Sequence, residues 1–490
     1  MTSSKSTKRA LITSALAILM CAAMLIGATF AWFTDTASTG VNKIVSGNLK
    51  VDIIGADSDS HIEKLNFTKA ATTDAEAGAE ILWEPGCRYL TEGFRIANKG
   101  NLALKWKAQV NTGTTAANEG NFDLLDVIDF YLVTKAADGT ETETALDEFT
   151  GNLKKTETSD VYYIKGVMQT TAGNDYQGLT LDGISITVVA TQDTVESDSF
   201  NNQYDKDAEY PILVTTGDEL QAIVSNATAP VNIVLTNSIT TNNFVIPADK
   251  DVTLDLNGRT VTNAGSHTIL NKGHLTLTDS SADKSGQIIS LKGNTAALRN
   301  GDNAVCVVEG GTISRDGANG NTWHVVENFG KMTFNGGKVV LKNGNGFAIT
   351  NGWNYFDPGA STTHAVMEIN ALELDTDSSG IKNCRYGDLT VNDVTVTSTG
   401  YWALSNDYLG TAVINGGTLT SSSFKAVSNG AAMTVNGGTF DGTEGFFVQS
   451  YATSTVLNGG TFTNMNVNAL SNYVGTGHTA QQSGTSVIIK

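Results

Sequence analysis

The sequence predicts an all-β protein, a sandwich of short antiparallel strands followed by a long parallel β-helix. Three observations carry this. First, a tetrad of a small or apolar pair, a variable residue and Asn returns along the C-terminal half. It reads Ala297-Leu298-Arg299-Asn300, Val325-Val326-Glu327-Asn328, Ala348-Ile349-Thr350-Asn351 and Gly380-Ile381-Lys382-Asn383. It continues as Ala403-Leu404-Ser405-Asn406, Ala426-Val427-Ser428-Asn429 and Ala469-Leu470-Ser471-Asn472, with Ser450 replacing Asn once. Second, Asn335, Asn370, Asn392, Asn415, Asn436 and Asn458 form an out-of-phase series whose last spacings are 22, 23, 21 and 22 residues. A fixed period of this size, with β-branched residues and turn glycines in each copy, marks a stacked solenoid. Third, 50 Gly against 5 Pro and only 17% charged residues suit β-structure whose turns are built from Gly and Asn.

Asparagine suits these positions because it tolerates the left-handed turn conformation and bonds its own turn. Identical amides one rung apart also hydrogen-bond along a stack. Asn300, Asn328, Asn351, Asn383, Asn406, Asn429 and Asn472 are therefore expected to form a structural ladder with no catalytic role.

From the N-terminus, Lys5, Lys8 and Arg9 precede an apolar run from Ala10 to Ala31, the pattern of a secretory signal. Cleavage near Ala31 leaves 28 cations against 50 anions, a net charge of −22. So acidic a chain cannot neutralise phosphates, which excludes nucleic acid as a partner. Cys87, Cys306 and Cys384 are widely spaced and support neither a disulfide framework nor a zinc site. Residues 32–200 do not repeat. Val41 to Ile54, Asp126 to Val133, Val161 to Ile164 and Ile184 to Ala190 read as strands, which must bury one face against another sheet. Residues 201–210 are polar and unpatterned, a linker. Asp205, Asp207 and Glu209 within it lack the glycine and distal glutamate of an EF-hand loop. The solenoid domain, 211–490, opens on a capping-box helix at Thr216-Gly217-Asp218-Glu219-Leu220, placed to cover the first coil. Val231 to Leu235 and Val252 to Leu256 are its first strands. About ten coils at ~4.8 Å each make a rod near 50 Å long. Val487-Ile488-Ile489 reads as a terminal capping strand, and no sorting motif follows it.

Two resemblances emerge. Thr29-Phe30-Ala31-Trp32-Phe33-Thr34-Asp35 with Ser46-Gly47-Asn48-Leu49-Lys50-Val51 resembles the start of the TasA/camelysin family of secreted Gram-positive matrix proteins. Trp83-Glu84-Pro85-Gly86, then Phe94-Arg95-Ile96-Ala97-Asn98-Lys99-Gly100-Asn101-Leu102-Ala103, is similar to that family's P-G…F-x-x-x-N-x-G-x-L-A segment. The match covers residues 1 to about 198. It implies a jelly-roll-like sandwich, export through a dedicated signal peptidase, and assembly with copies of itself or related proteins in an extracellular matrix or at the cell surface. In such fibres the mature N-terminal strand completes the next subunit's sheet. Carried over, the donor would be roughly Trp32 to Val51, with Ile44, Val45, Leu49 and Val51 as its apolar residues; an ordinary intramolecular first strand is the other reading. The solenoid entry, a D-E-L helix followed by Val252-Thr253-Leu254-Asp255-Leu256-Asn257-Gly258, resembles bacterial surface proteins with a pectate-lyase-like β-helix, which implies a right-handed coil.

Three patterns bear on chemistry. Asp375, Asp377, Lys382 and Arg385 lie within one coil, with Asp407 on the next; a calcium-assisted lyase would use the carboxylates for the ion and Lys382 or Arg385 as base. No second acidic pair occupies adjacent rungs and polygalacturonase signatures are missing, so solvated coil residues are expected instead. Asp375-Thr376-Asp377-Ser378-Ser379-Gly380 resembles half an EF-hand loop with Tyr386 at the twelfth position. No cofactor is required, calcium being the one ion left open. The six histidines form no HExxH and no pair at ligand spacing, so the peptidase label attached to camelysins has no residue here to carry it. Finally, Trp353 and Tyr355 lie in an insertion, and Tyr386, Tyr408, Tyr451 and Tyr473 follow ladder positions where stacking would align them. Such a row could bind a polysaccharide or a partner, or could simply cover the flank. The expected function is a secreted matrix or surface protein, with a monomeric glycan-binding adhesin as alternative and a lyase third.

Overall fold

The computed structural model describes residues 49–490 apart from 63–64, 69–82, 112–113, 116–121, 147–148, 183–184, 194–209, 321 and 354–362. The signal segment, Ile44, Val45, most of the linker and Tyr355 lie outside the described residues. The fold is all-β: antiparallel sheets up to Gln192, then a parallel solenoid from Ile212.

In the first part, Val51–Gly55, Phe94–Asn98, Tyr162–Met168, Arg88–Thr91 and Phe67–Thr68 make one sheet in that order. Ile128–Lys135 pairs the other side of Tyr162–Met168 and carries Glu141–Ala145 at its edge. A second sheet has Leu104–Asn111 between Ser185–Gln192 and Phe149–Leu153. Alternation drives their union: Leu104, Trp106, Ala108 and Val110 point inward and bury against Phe94, Ile96, Leu132 and Ile164 of the first sheet. The exposed edge strand Glu141–Ala145 bears Glu141 and Glu143, both ion-paired with Lys165, a charged edge that resists unwanted pairing.

Asn98 explains the motif around it. Fully buried, its Nδ2 donates to the carbonyls of Leu102 at 2.7 Å and Lys154 at 3.1 Å, while its Oδ1 accepts from Gly100 N at 2.9 Å. One amide thus shapes the connection between the two sheets. Gly151 pairs with Trp106 across the second sheet, and a Cβ there would stand 2.7 Å from the indole Cζ2. Gly151→Val is expected to cost about 2 kcal/mol or more by overpacking. The check is a lowered midpoint in a melt followed by tryptophan fluorescence.

The solenoid winds three parallel sheets. The first runs from Ile212–Val214 to Ser454–Leu457, the second from Ile239–Thr241 to Gly460–Phe462, and the third from Phe244–Ile246 to Phe446–Val448. About ten turns result. Inward residues form continuous columns such as Val339, Leu374, Val396, Leu419, Phe440 and Phe462, the last two stacked at 4.8 Å. The turn from the first to the second sheet is the repeated Asn-Gly-Gly. Its second glycine has φ of +90°, +99°, +108° and +116° at Gly337, Gly417, Gly438 and Gly460, open to glycine at least cost.

Both ends are closed. In the helix Gly217–Asn226 the Thr216 hydroxyl accepts from Glu219 N, and Glu219 reaches back to Thr215 N at 2.9 Å, one residue beyond the reciprocal bond of a standard box. Leu220 and Val224 are buried, and Gln221 replaces a missing strand: its amide donates to Val245 O and accepts from Val245 N. At the far end Ala480–Ser483 and Ser486–Ile489 form an antiparallel hairpin on Gly460–Phe462, burying Val487 and Ile489.

The buried ladder runs Asn271, Asn300, Asn328, Asn351, Asn383, Asn406, Asn429, each Nδ2 donating to the next Oδ1 at 2.7–2.9 Å. Asn271 extends it upstream. The expected end is corrected: Asn472 is exposed in a short 3-10 helix beyond the last third-sheet strand. Val448, not Ser450, occupies the rung after Asn429. There Asn429 donates to Ser454 O and Thr455 Oγ1. The second series is also a ladder, at the surface and donating in the opposite direction along the axis, from Asn458 back through Asn335 to Glu309.

Candidate functional site

The coil proposed from sequence as a lyase centre does not converge. Asp375 faces out of the second sheet, 2.8 Å from Lys342, in a shallow depression of about 330 Å3 shared with Lys338, Glu373, Thr395 and Thr397. Asp377 lies in the following turn and accepts backbone N–H groups from Asn343 and Gly344. Lys382 projects from the third sheet, 3.1 Å from Asp407, and Arg385 sits in the next turn with its guanidinium over Tyr386. The carboxylates and the basic residues therefore serve different faces, each with a local partner. A proton-abstracting base must share its face with the group that neutralises the substrate. Among the described residues no group of three or more His, Cys, Asp or Glu side chains is placed to hold a metal.

Nor do the tyrosines form one row. Tyr386 adopts φ +58° and bonds Arg385 Nη2 through its hydroxyl, close to His364. Tyr408 is exposed one position earlier in its turn, where Leu409 takes the matching left-handed place at +60°. Tyr451 is exposed and covers Gly430, while Tyr473 packs onto the core under the C-terminal cap. The Tyr386 and Tyr408 turns are equal in length, so the shift lies in the sequence itself, Tyr408 standing one position nearer its asparagine than Tyr386 does. Trp353 turns inward onto Phe329, 4.6 Å between ring centres, with its backbone bonded to Arg385 O.

What does converge is the outer face of the third sheet. Its central outward row, Arg299, Glu327, Thr350, Lys382, Ser405, Ser428 and Phe447, is in register from strand to strand. Aromatic residues enter at the corner leading into this sheet. Trp323 and His324 precede Val326–Asn328, Phe347 opens the next strand, Tyr401 and Trp402 precede Leu404–Asn406, and Phe424 precedes Val427–Asn429. Trp402 lies 4.6 Å from Phe424, edge-on, and 6.3 Å from Phe447, nearly parallel.

Glu327 is the electrostatic centre of the upstream half. Though outward-facing it is only 4% exposed, accepting from Arg299 Nη1 and Trp323 Nε1, both at 2.9 Å. Burial lowers the pKa of His324 and of His267, and nearby Glu327 offsets part of that effect at each. Burial likewise brings Arg315 down to about 10 against the pull of Glu327; its guanidinium donates to Ser290 Oγ and Lys292 O. Cys306 and Cys384 are buried thiols pushed up to about 12, unreactive as nucleophiles.

Sequence reasoning missed this face because it followed the asparagines. Aromatic residues were sought just after the ladder, whereas they recur just before the tetrad: Trp323, Trp402 and Phe424 each lie one or two positions ahead of its apolar pair. That spacing was readable. The burial of Glu327 was not, since it needs partners from neighbouring rungs. Among the described residues no helix is long and apolar enough to cross a membrane. Comparison of the chain with models of known families gives no match, and comparison with curated proteins gives none either.

Proposed function

We propose that the chain is a secreted surface or matrix structural protein that assembles through its N-terminal part and displays the solenoid. The observation that carries this is the closure of both solenoid ends, by the helix Gly217–Asn226 and by the C-terminal hairpin. A capped solenoid cannot add rungs end to end, so strand-mediated assembly falls to the antiparallel part. There the strand Val51–Gly55 stands at the margin of its sheet, covered on its outer side by the short return Ser60–Ile62. Leu49, just ahead of it, is exposed, and the strand-like pattern continues upstream through Val45 and Ile44. The TasA/camelysin-like landmarks support the same reading, as does the role of Asn98 within them.

A donor shorter than the roughly Trp32 to Val51 segment of the resemblance fits this reading best. Val51 pairs with Asn98 and Lys50 O accepts from Lys99 N within the same chain. On this reading the donor is residues 32–49, which would leave Val51 to its own sheet. Negative-stain electron microscopy of residues 32–490 beside 50–490 tests this. Fibres are expected in the first and isolated particles with an unchanged circular dichroism spectrum in the second. Isolated particles in both would overturn the assembly reading.

A further inference from the structure

We propose that the outer face of the third sheet, with the corner that leads into it, is a binding track for an extended, uncharged polysaccharide. The inference does not depend on how the protein assembles.

The first argument is direction. Side-chain contacts link rungs along the axis: His324 to Phe347 at 6.5 Å, Phe347 to the Lys382 ammonium at 5.3 Å, and Trp402 to Phe424 on the next rung and Phe447 on the one after. The six strands from Val326–Asn328 to Phe446–Val448 span about 24 Å at ~4.8 Å per rung. A ligand touching several of these groups must be long and lie along the axis, as a polymer chain does and a compact metabolite does not.

The second argument is the alternation of apolar and hydroxyl-bearing groups. Half-buried rings of Trp402 and Phe424 offer flat apolar surface, Tyr401 stands 58% exposed beside Phe424, and the Phe447 ring carries the Lys425 ammonium 3.4 Å from its centre. The half-buried Ser405 lies in the same outward row as Phe447, and the half-buried Gln449 is anchored beside it by a bond from its amide to the buried Ser428 Oγ at 3.1 Å. A pyranose ring presents an apolar C–H face and a hydroxyl rim, which this mixture matches.

Charge selects further. Every ion on the track is balanced locally: Arg299 by Glu327 at 2.9 Å, Lys382 by Asp407 at 3.1 Å, and Lys425 by Glu444 at 3.1 Å. Among the described residues of the track no cation is left over to hold a uronate or sulfate, and a chain of net charge −19 repels polyanions. The balance selects neutral sugars, which separates this track from a lyase cleft for acidic polymers.

The test uses residues 32–490 in native affinity electrophoresis with hydroxyethylcellulose, xylan, galactomannan and, as the acidic probe, polygalacturonate. Retardation by at least one neutral polymer is expected, and none by polygalacturonate. Trp402→Ala should weaken the retardation at least tenfold while leaving the melting temperature within a few degrees, and Trp402→Phe should restore most of it. Tyr408→Ala, at the opposite corner, should have no effect. Retardation by polygalacturonate alone, or by nothing, would overturn the proposal. Binding that survives Trp402→Ala but falls with Tyr408→Ala would move the site to the other corner and equally overturn it.

Discussion

Asn383→Ala is expected to lower the stability of the solenoid by about 3 kcal/mol. Its Nδ2 donates to Gly387 O at 2.9 Å, Asn406 Oδ1 at 2.8 Å and Thr411 O at 3.0 Å, and its Oδ1 accepts from Asn351 at 2.9 Å. All of this happens without solvent contact. Removing the amide takes the ladder partner from Asn351 Nδ2 and from Asn406 Oδ1, and an unsatisfied buried group costs ~1–3 kcal/mol. Two such groups and the lost turn bonds, softened by partial relaxation, give the stated value and a fall in melting temperature of roughly 6–12 °C. Asn415→Ala is the contrast. That residue makes the same kind of rung-to-rung bond at the surface, to Asn392 at 2.8 Å, where water substitutes for it. Its replacement should cost under about 1 kcal/mol, and Asn472→Ala under about 0.5 kcal/mol. Equal melts for the Asn383 and Asn415 variants would show that burial does not govern the ladder.

The repeat made the solenoid readable because each rung faces the same steric problem and solves it with the same residues. The amide at a tight turn and the glycine pair after the first sheet are local requirements, visible without knowing what packs where. Asn271 falls outside the tetrad pattern because Thr268 stands where the pattern has a small or apolar residue, and Asn472 fits it because a capping helix imitates the spacing. In the sandwich the strands Ile128–Lys135, Tyr162–Met168 and Ser185–Gln192 fall close to the expected runs. Leu104–Asn111 is the strand that composition conceals: Leu104, Trp106, Ala108 and Val110 alternate with polar residues, but two lysines and a single β-branched residue dilute the signal. The candidate sites were less legible for a general reason. Whether Asp375 and Lys382 share a face depends on where one turn falls between them, and a single residue decides it.

Glu327→Leu should cost about 3 kcal/mol and make the upstream half of the track unusually sensitive to acid. Breaking a buried ion pair typically costs 3–5 kcal/mol. The low end applies because the Arg299 side chain is 32% exposed and can be rehydrated. Trp323 Nε1 loses its acceptor in the same step, so the loop carrying Trp323 should loosen, seen as a red-shifted tryptophan emission. Glu327→Gln keeps an oxygen for the indole and should recover part of the loss. The pH dependence follows from His324 and His267, whose pKa values lie below the ordinary 6.5 in the fold because burial disfavours their charged forms. As pH falls from 6.5 the unfolded chain binds protons before the folded one, so their contribution is complete above 6.5 and is lost progressively below it. Loss of the Glu327 charge removes an influence that raises both values, which deepens the acid loss. Carboxylates such as Asp316, held below the usual range by its bonds to Asn343 and Ala318, act separately, at pH values under their ordinary 3.8. Melting temperatures measured from pH 7.5 to 5.0 should therefore fall for the wild type and fall more steeply for Glu327→Gln. His324→Phe, which fills the ring's place without a titrating group, should flatten the curve; an unchanged slope in that variant would remove His324 as the origin of the acid limb.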